Sequence, residues 1–341
     1  MTSSPLVSFC FTTYKRKYLL QSTLESVRQQ TFGDFEVIVS DNDPECAGRD
    51  VVEGMGDPRF KYFANGSNLG MKKSFNQSLK RSSGKYIVMI ADDDPVYPDM
   101  LATLMDLKDR CPGYGMYMGA CNWFCTDPRI AQLYGLKEGV NSFLADIPEG
   151  TVRTYTSGAF LQDFFNFKIF SNYLWSTAIV ERDVLVGMGG VPDYETAFLG
   201  DYAYLSIMGS HSGCVVINKA LGHQTIHPHN FGRDQNDQIR IAVVNFVEYV
   251  SRRIKHVDGW PAVDMAMKRF AAMWAISHLN FLGRYFRLFK KEDGKDLYRV
   301  EKEIFRIDFV KKYHFKYWLK KHFPRLHDLI VLVKKKFIHR S

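Results

Sequence analysis

Asp92, Asp93 and Asp94 stand side by side at the end of the apolar run Tyr86 to Ala91, and Pro95 follows at once. Three adjacent carboxylates repel one another unless a cation holds them. A hard divalent ion such as Mg2+ or Mn2+ takes carboxylate oxygens and keeps room for substrate phosphates, so the chemistry these residues suggest is metal-assisted handling of a diphosphate. Taken alone, the tripeptide also reads as an acidic turn ahead of Pro95 and Pro98.

The elements that must position these acids alternate along the first hundred residues. Val7 to Thr12 is a short, mostly apolar run, as a buried strand is. Lys17 to Gln30 places Leu20, Leu24 and Val27 on one helical face, and Phe35 to Ser40 forms a second strand that stops at Asp41-Asn42-Asp43-Pro44. Arg59 to Ala64 is a third strand and Met71 to Ser82 a helix, with Gly84 as its C-terminal cap. Lys85 to Ala91 is the fourth strand, and another helix starts near Pro98. Such alternation predicts an α/β chain with a parallel, doubly wound sheet, whose ligands lie beyond the carboxyl ends of the strands. Thr12-Thr13-Tyr14, Asp41-Asn42-Asp43 and Asp92-Asp93-Asp94 all fall at such ends, so three clusters distant in sequence meet on one rim.

From about 111 to 235 the pattern loosens, with a strand expected at Trp175 to Val180; beyond 236 the chain turns helical. The expected division is a domain at 1–235, split near 105, followed by a helical extension at 236–341. At 46% hydrophobic residues the 341-residue chain has material for a full core. Its six cysteines are scattered, which fits a reduced compartment and not a disulfide framework. Met1 to Pro5 has neither a basic nor an apolar signal-peptide region, and no stretch approaches the ~20 apolar residues that span a bilayer.

Several of these segments together resemble family two glycosyltransferases: Ser8 to Arg16, Thr23 to Thr31, Asp34 to Asn42, Asn68-Leu69-Gly70, and Gly84 to Asp94. The resemblance is dense over residues 5–105 and thinner to about 235. It implies a GT-A fold, Rossmann-like and mostly parallel, with Mn2+ or Mg2+ and inversion at the anomeric carbon. By the same resemblance Thr12, Tyr14 and Asp41 line the base and ribose pocket, Asn68 and Gly70 form the loop beneath the base, and Lys72 or Lys73 approaches the diphosphate. Where the family often has Asp-Ser-Asp-Asp, this chain has Ala91 in place of the first acid. That shift leaves the register open; Asp94 is expected on the metal and Asp92 at the ribose or the outer ligand shell, with Asp93 on the donor side.

Phe198-Leu199-Gly200-Asp201 resembles the family's Glu-Asp segment with Gly200 in place of the Glu, which makes Asp201 the candidate base for the acceptor hydroxyl. Its alternative role is to cap the helix Tyr202 to Met208. His227 or His229 follows at a place suited to the metal and diphosphate, with His229 taken as the ligand. Trp175 offers a ring for an acceptor sugar, or else belongs to the core.

The charge lies at the far end. Residues 311–341 hold ten Lys/Arg against the single acid Asp328, in a chain of net charge +8. Phe309, Tyr313, Tyr317 and Trp318 interleave with Lys312, Lys316 and Lys320, the pattern of a helix lying on an anionic membrane surface. No recognised nucleic-acid motif accompanies these residues, so nucleic acid is not the expected partner. The expectation is a cytoplasmic enzyme, peripheral at the inner face of the membrane, moving a sugar from a nucleotide donor, a UDP-sugar by preference, to a carbohydrate or lipid-linked acceptor in surface polysaccharide synthesis. The competing readings are a sugar-nucleotide nucleotidyltransferase, which would need a Gly-rich loop where Thr12 to Arg16 has no glycine, and a non-catalytic carbohydrate-binding scaffold.

Overall fold

The computed structural model describes residues 4–228, 230, 237–289 and 294–323. Its first half alternates as the sequence predicts: β1 (Val7–Thr13), α1 (Lys17–Arg28), β2 (Phe35–Asp41), α2 (Arg49–Gly54), β3 (Phe60–Ala64), α3 (Met71–Arg81), β4 (Tyr86–Ala91) and α4 (Met100–Arg110). Then come β5 (Met116–Cys125), α5 (Pro128–Tyr134), β6 (Gly139–Asn141), β7 (Val152–Tyr155), α6 (Ser157–Phe165), a 3-10 turn (Trp175–Thr177), β8 (Ala178–Glu181) and α7 (Arg182–Gly187). The chain continues through α8 (Gly200–Ser212), β9 (Cys214–Ile226), α9 (Gln238–Ile254), α10 (Trp260–Leu288), α11 (Gly294–Ile304), α12 (Asp308–Lys311) and α13 (His314–His322).

The strands form one sheet in the order β3-β2-β1-β4-β8-β5-β9-β7, with β6 paired to β5. β1, β2, β3 and β4 are mutually parallel, and β5 pairs parallel with β9. β8 departs from the doubly wound expectation: it enters between β4 and β5 and runs antiparallel to both. Every residue of β1 and β2 is buried, as strands covered by helices on both faces must be. Side-chain alternation sorts the apolar residues into two layers. Phe9, Phe11, Val37, Val39, Val88 and Ile90 meet Leu20 and Leu24 of α1 and Leu104 of α4, whereas Cys10, Ile87 and Met89 join Phe75 and Leu79 of α3. Register then levels the rim, because Thr12 pairs with both Ser40 and Ala91, and Thr13 pairs with Asp41.

Two local expectations are corrected. Gly84 does not cap α3, which ends at Ser82 in extended conformation. The glycine is needed for close approach, since a Cβ there would lie 2.6 Å from the Ser8 backbone nitrogen. Trp175 begins a 3-10 turn, and the strand starts only at Ala178.

The second core layer runs without a break from β4 and β5 through α6 and α8 into α9 and α10. Phe270 of α10 is its junction, with ring centroids 5.6 Å from Phe165, 5.8 Å from Phe246 and 4.8 Å from Tyr202. Phe270→Ala is expected to destabilise the chain by about 3–5 kcal/mol in a single cooperative denaturant transition. Loss of helix 10 alone, with the sheet melting unchanged, would show that residues beyond 235 fold apart from it.

Candidate active site

The rim is built from short polar side chains at strand ends. Thr12 Oγ1 donates to Ser74 Oγ of α3 at 2.6 Å, which ties β1 to the helix behind it. Asp41 is fully buried; its carboxylate accepts from the backbone N–H of Asp43 at 2.8 Å and of Gly48 at 3.0 Å, and from the Tyr62 hydroxyl at 2.9 Å. Asp41 therefore shapes the loop after β2 from beneath. Asn42 does the same for the next loop, its Oδ1 accepting from Asn65 at 3.0 Å and from the Leu69 N–H at 3.3 Å. Asn68 is exposed and accepts from the Gly70 N–H at 2.9 Å, and Gly70 opens α3 at φ +81°, where a side chain would be strained. Tyr14 stands exposed at the edge.

The three acids separate by role. Asp92 accepts from Thr13 Oγ1 at 2.8 Å and from Arg16 Nη1 at 3.2 Å, and its backbone oxygen accepts from Thr23 at 2.9 Å. Burial, reinforced by Asp93, pushes its carboxyl up to about 7, against the pull of Arg16 and Thr13. Asp93 Oδ2 is ringed by donors: Arg16 Nη1 at 3.1 Å, His227 Nε2 at 3.4 Å and Asn230 Nδ2 at 3.4 Å. Asp94 is buried, and its Oδ1 has no hydrogen-bond partner among the described residues. Burial first, then the charges of Asp93, Asp201 and Asp92, hold its carboxyl well above the usual range.

β9 splints this acidic loop. The Asp93 and Pro95 carbonyls accept from Thr225 N–H at 3.1 Å and His223 N–H at 2.9 Å, and Tyr97 N–H donates to Leu221 at 2.8 Å. Gly222 permits the approach, because a Cβ there would sit 2.8 Å from the Pro95 oxygen.

Across from Asp94 lies the first turn of α8. Leu199 is the N-cap, in left-handed conformation at φ 61°, so Asp201 sits inside the helix and does not cap it. Burial and the charge of Asp93 raise the Asp201 carboxyl to about 7, and Lys72 opposes them. Lys72 itself is not at the mouth of a diphosphate cleft. It is buried, with Nζ 3.4 Å from the centre of the Tyr194 ring and no hydrogen-bond partner among the described residues. Burial lowers it to about 8, while Asp193 and Asp201 hold it up. Trp175 is likewise a correction: it is buried, edge-on to Phe75 at 4.8 Å and Tyr204 at 5.9 Å, and supports the site from below without offering a face to a sugar. His229 lies outside the described residues. His227, its neighbour, is the histidine found at the acids.

An open cleft of about 610 Å³ is walled by Lys15, Arg16 and Lys17 before and within α1, by Asp43 and Glu45 after β2, and by His227; Arg16 and His227 connect it to Asp93. The visible signal for this basic wall in the sequence is Tyr14-Lys15-Arg16-Lys17 directly after a strand.

Among the described residues no three His, Cys, Asp or Glu side chains gather into a ready metal cage. A Mg2+-like ion does not need one, since it takes one or two carboxylates together with substrate phosphates and water. The unpartnered Asp94 oxygen beside Asp93 fits that mode.

Residues 8–160 match the family model for glycosyl transferase family 2. That segment is similar to family 2 glycosyltransferase domains. Over 120 residues the chain is 32% identical to the Campylobacter jejuni GalNAc(5)-diNAcBac-PP-undecaprenol beta-1,3-glucosyltransferase, covering 34% of this chain and 38% of that protein. Its match thus spans well under half of that relative. Solved structures extend the likeness in fold: S. aureus TarS 1-349 in complex with UDP-GlcNAc superposes with a TM-score of 0.58 at 15% identity, over 92% of this chain and 87% of that one. The Pyrobaculum calidifontis mannosyltransferase in complex with GDP-Man and Mn2+ gives 0.52 at 13% identity, over 95% and 88%. The glycosyltransferase fold is therefore GT-A, a mostly parallel sheet between helices with further helices behind.

The bonding of Asp41 makes a structural prediction. Asp41→Asn keeps one acceptor oxygen for three donors and is expected to lower the free energy of unfolding by about 2 kcal/mol. An unchanged urea midpoint would remove Asp41 from its role under the loop.

Proposed function

We propose that this chain is an inverting glycosyltransferase that moves a sugar from a nucleoside-diphosphate donor, a UDP-sugar by preference, to a lipid-linked carbohydrate acceptor in surface polysaccharide synthesis. The observation that carries the reading is the placing of two acids from opposite halves of the domain near each other, the buried Asp94, which feels the charge of Asp201, and the half-buried Asp201. Lys15, Arg16 and Lys17 give the open cleft a cationic wall for a diphosphate. The loops held by Asp41 and Asn42 border the same end of the sheet and suit the base and ribose. UDP-GlcNAc and GDP-Man in the two structural neighbours support the donor class, and the undecaprenol-diphosphate name of the Campylobacter relative supports a lipid-linked acceptor.

The reaction asks three things of the chain. The acceptor oxygen attacks the anomeric carbon as the bond from that carbon to the diphosphate breaks, and the acceptor proton passes to Asp201. The electron pair leaves with the diphosphate, whose growing charge meets the basic wall. A divalent cation, Mn2+ or Mg2+, when bound beside Asp94, supplies further neutralisation of that charge. A single displacement from the opposite face inverts the centre and needs no covalent sugar on the protein.

Asp201 must be ionised to accept a proton. With its carboxyl raised to about 7, turnover is expected to climb as pH rises through that value and to fall below it. Asp201→Asn should lose about 100- to 10,000-fold in turnover while still binding donor. Asp94→Ala should instead lose the metal-dependent part of donor binding. Nucleoside-diphosphate release and thermal shift with and without Mn2+ separate the two, and a fully active Asp201→Asn chain would refute the base assignment.

An aromatic and basic face of α13 supports a peripheral membrane role. On α13, Phe315 is 71% exposed and Trp318 42%, with ring centroids 6.2 Å apart. Lys316 and Lys320 are exposed beside them, while Tyr317 turns inward and donates to Glu301 at 3.0 Å. Aromatic rings flanked by lysines suit the headgroup region of an anionic bilayer. Residues 324–341, which carry the rest of the basic tail, lie outside the described residues. Phe315→Ala with Trp318→Ala should weaken sedimentation with phosphatidylglycerol vesicles by about tenfold or more, and undiminished sedimentation would count against this face.

A further inference from the structure

Arg16 takes up charge that a cation would otherwise meet. Its Nη1 bridges Asp92 Oδ1 at 3.2 Å and Asp93 Oδ2 at 3.1 Å. Its side chain is 31% exposed and lines the cleft where a diphosphate is proposed to sit. Asp93 Oδ2 is thus already engaged, whereas the Asp94 oxygen beside it is not. A guanidinium and a divalent ion cannot share one carboxylate oxygen without repelling each other at close range. The same planar fork that pairs with a carboxylate also matches phosphate oxygens.

We propose that Arg16 is an exchangeable counter-ion. In the donor-free chain it holds Asp92 and Asp93 together; when a nucleoside diphosphate enters the cleft, the guanidinium turns to its phosphates and releases Asp93 to the divalent cation. Cation and nucleotide then bind as one event, and the metal is kept from the acids until there is a leaving group to stabilise. By reciprocity the cation tightens nucleotide binding by the same factor as the nucleotide tightens cation binding. This rests on the glycosyltransferase reading, whose metal and donor it orders.

The test is Mn2+ binding to the nucleotide-free full chain, followed by electron paramagnetic resonance and by thermal shift. Arg16→Gln should bind Mn2+ about tenfold or more tightly than the wild type and should gain more thermal stability from it. Arg16→Lys, which keeps the charge but loses the fork, should fall between them and serves as the folded variant if the glutamine form does not fold. Equal Mn2+ affinity in wild type and both variants would overturn the counter-ion role. Uridine diphosphate binding to the wild type with and without Mn2+ is measured alongside. A metal-dependent shift there, with equal affinities in the first test, leaves the enzyme reading standing and removes Arg16 from it. No metal dependence at all removes both.

Discussion

Like charge held out of water is the constraint around which this molecule is arranged. Asp92, Asp93 and Asp94 are consecutive, two of them deeply buried, and Asp201 adds a fourth acid from another element. Left alone, such a group would either take up protons or force the rim apart. The neighbours answer each charge separately: Thr13 and Arg16 on Asp92, Arg16 with His227 and Asn230 on Asp93, and Lys72 against Asp201. The Asp94 Oδ1 is buried and has no hydrogen-bond partner among the described residues.

Holding the acids still is a matter of backbone. Level register brings the ends of β1, β2 and β4 to one line, and the loop after β4 is then laced to β9 through Asp93, Pro95 and Tyr97. The lacing uses main-chain groups, so it does not draw on the side chains of Asp93 and Asp94. The strand that splints the acids also delivers His227 one residue past its end.

The parts of this arrangement legible in the sequence are those set by neighbours along the chain. Strand runs such as Phe35 to Ser40, the periodic Leu20, Leu24 and Val27, and the acids at a strand end all depend on local pattern, and all lie where that pattern puts them. What stayed hidden depends on which face of an element meets which other element. Lys72 is expected at the diphosphate, yet α3 turns it inward over Tyr194. Trp175 reads as a strand residue, but a turn buries it against Phe75. Gly84 resembles a cap because helix ends favour glycine, whereas its real demand is the space beside Ser8. The insertion of β8 between β4 and β5 follows from long-range pairing that periodicity does not encode.

The helices after β9 seat the residues that flank Asp201 and the ring that carries Lys72. Tyr202, next to Asp201, packs on Phe270 of α10. Tyr194, whose ring carries the Lys72 ammonium, packs on Phe246 and Tyr249 of α9, and its carbonyl accepts from Asn245 at 3.1 Å. Thr196 meets Gln238 at 3.1 Å, at the first turn of α9. The segment from Tyr194 to Asp201 is therefore gripped by α9 and α10 at several points. The same core continues through Ile304 and Val310 to Tyr317, the inward face of the helix whose outer side bears Phe315 and Trp318. One continuous packed layer thus joins the surface proposed to meet lipid to the carboxylate proposed to receive the acceptor's proton. Such a layer transmits orientation because it is close-packed, so a chain resting on a bilayer through α13 would present Asp201 to that bilayer's own substrates at a fixed height and angle.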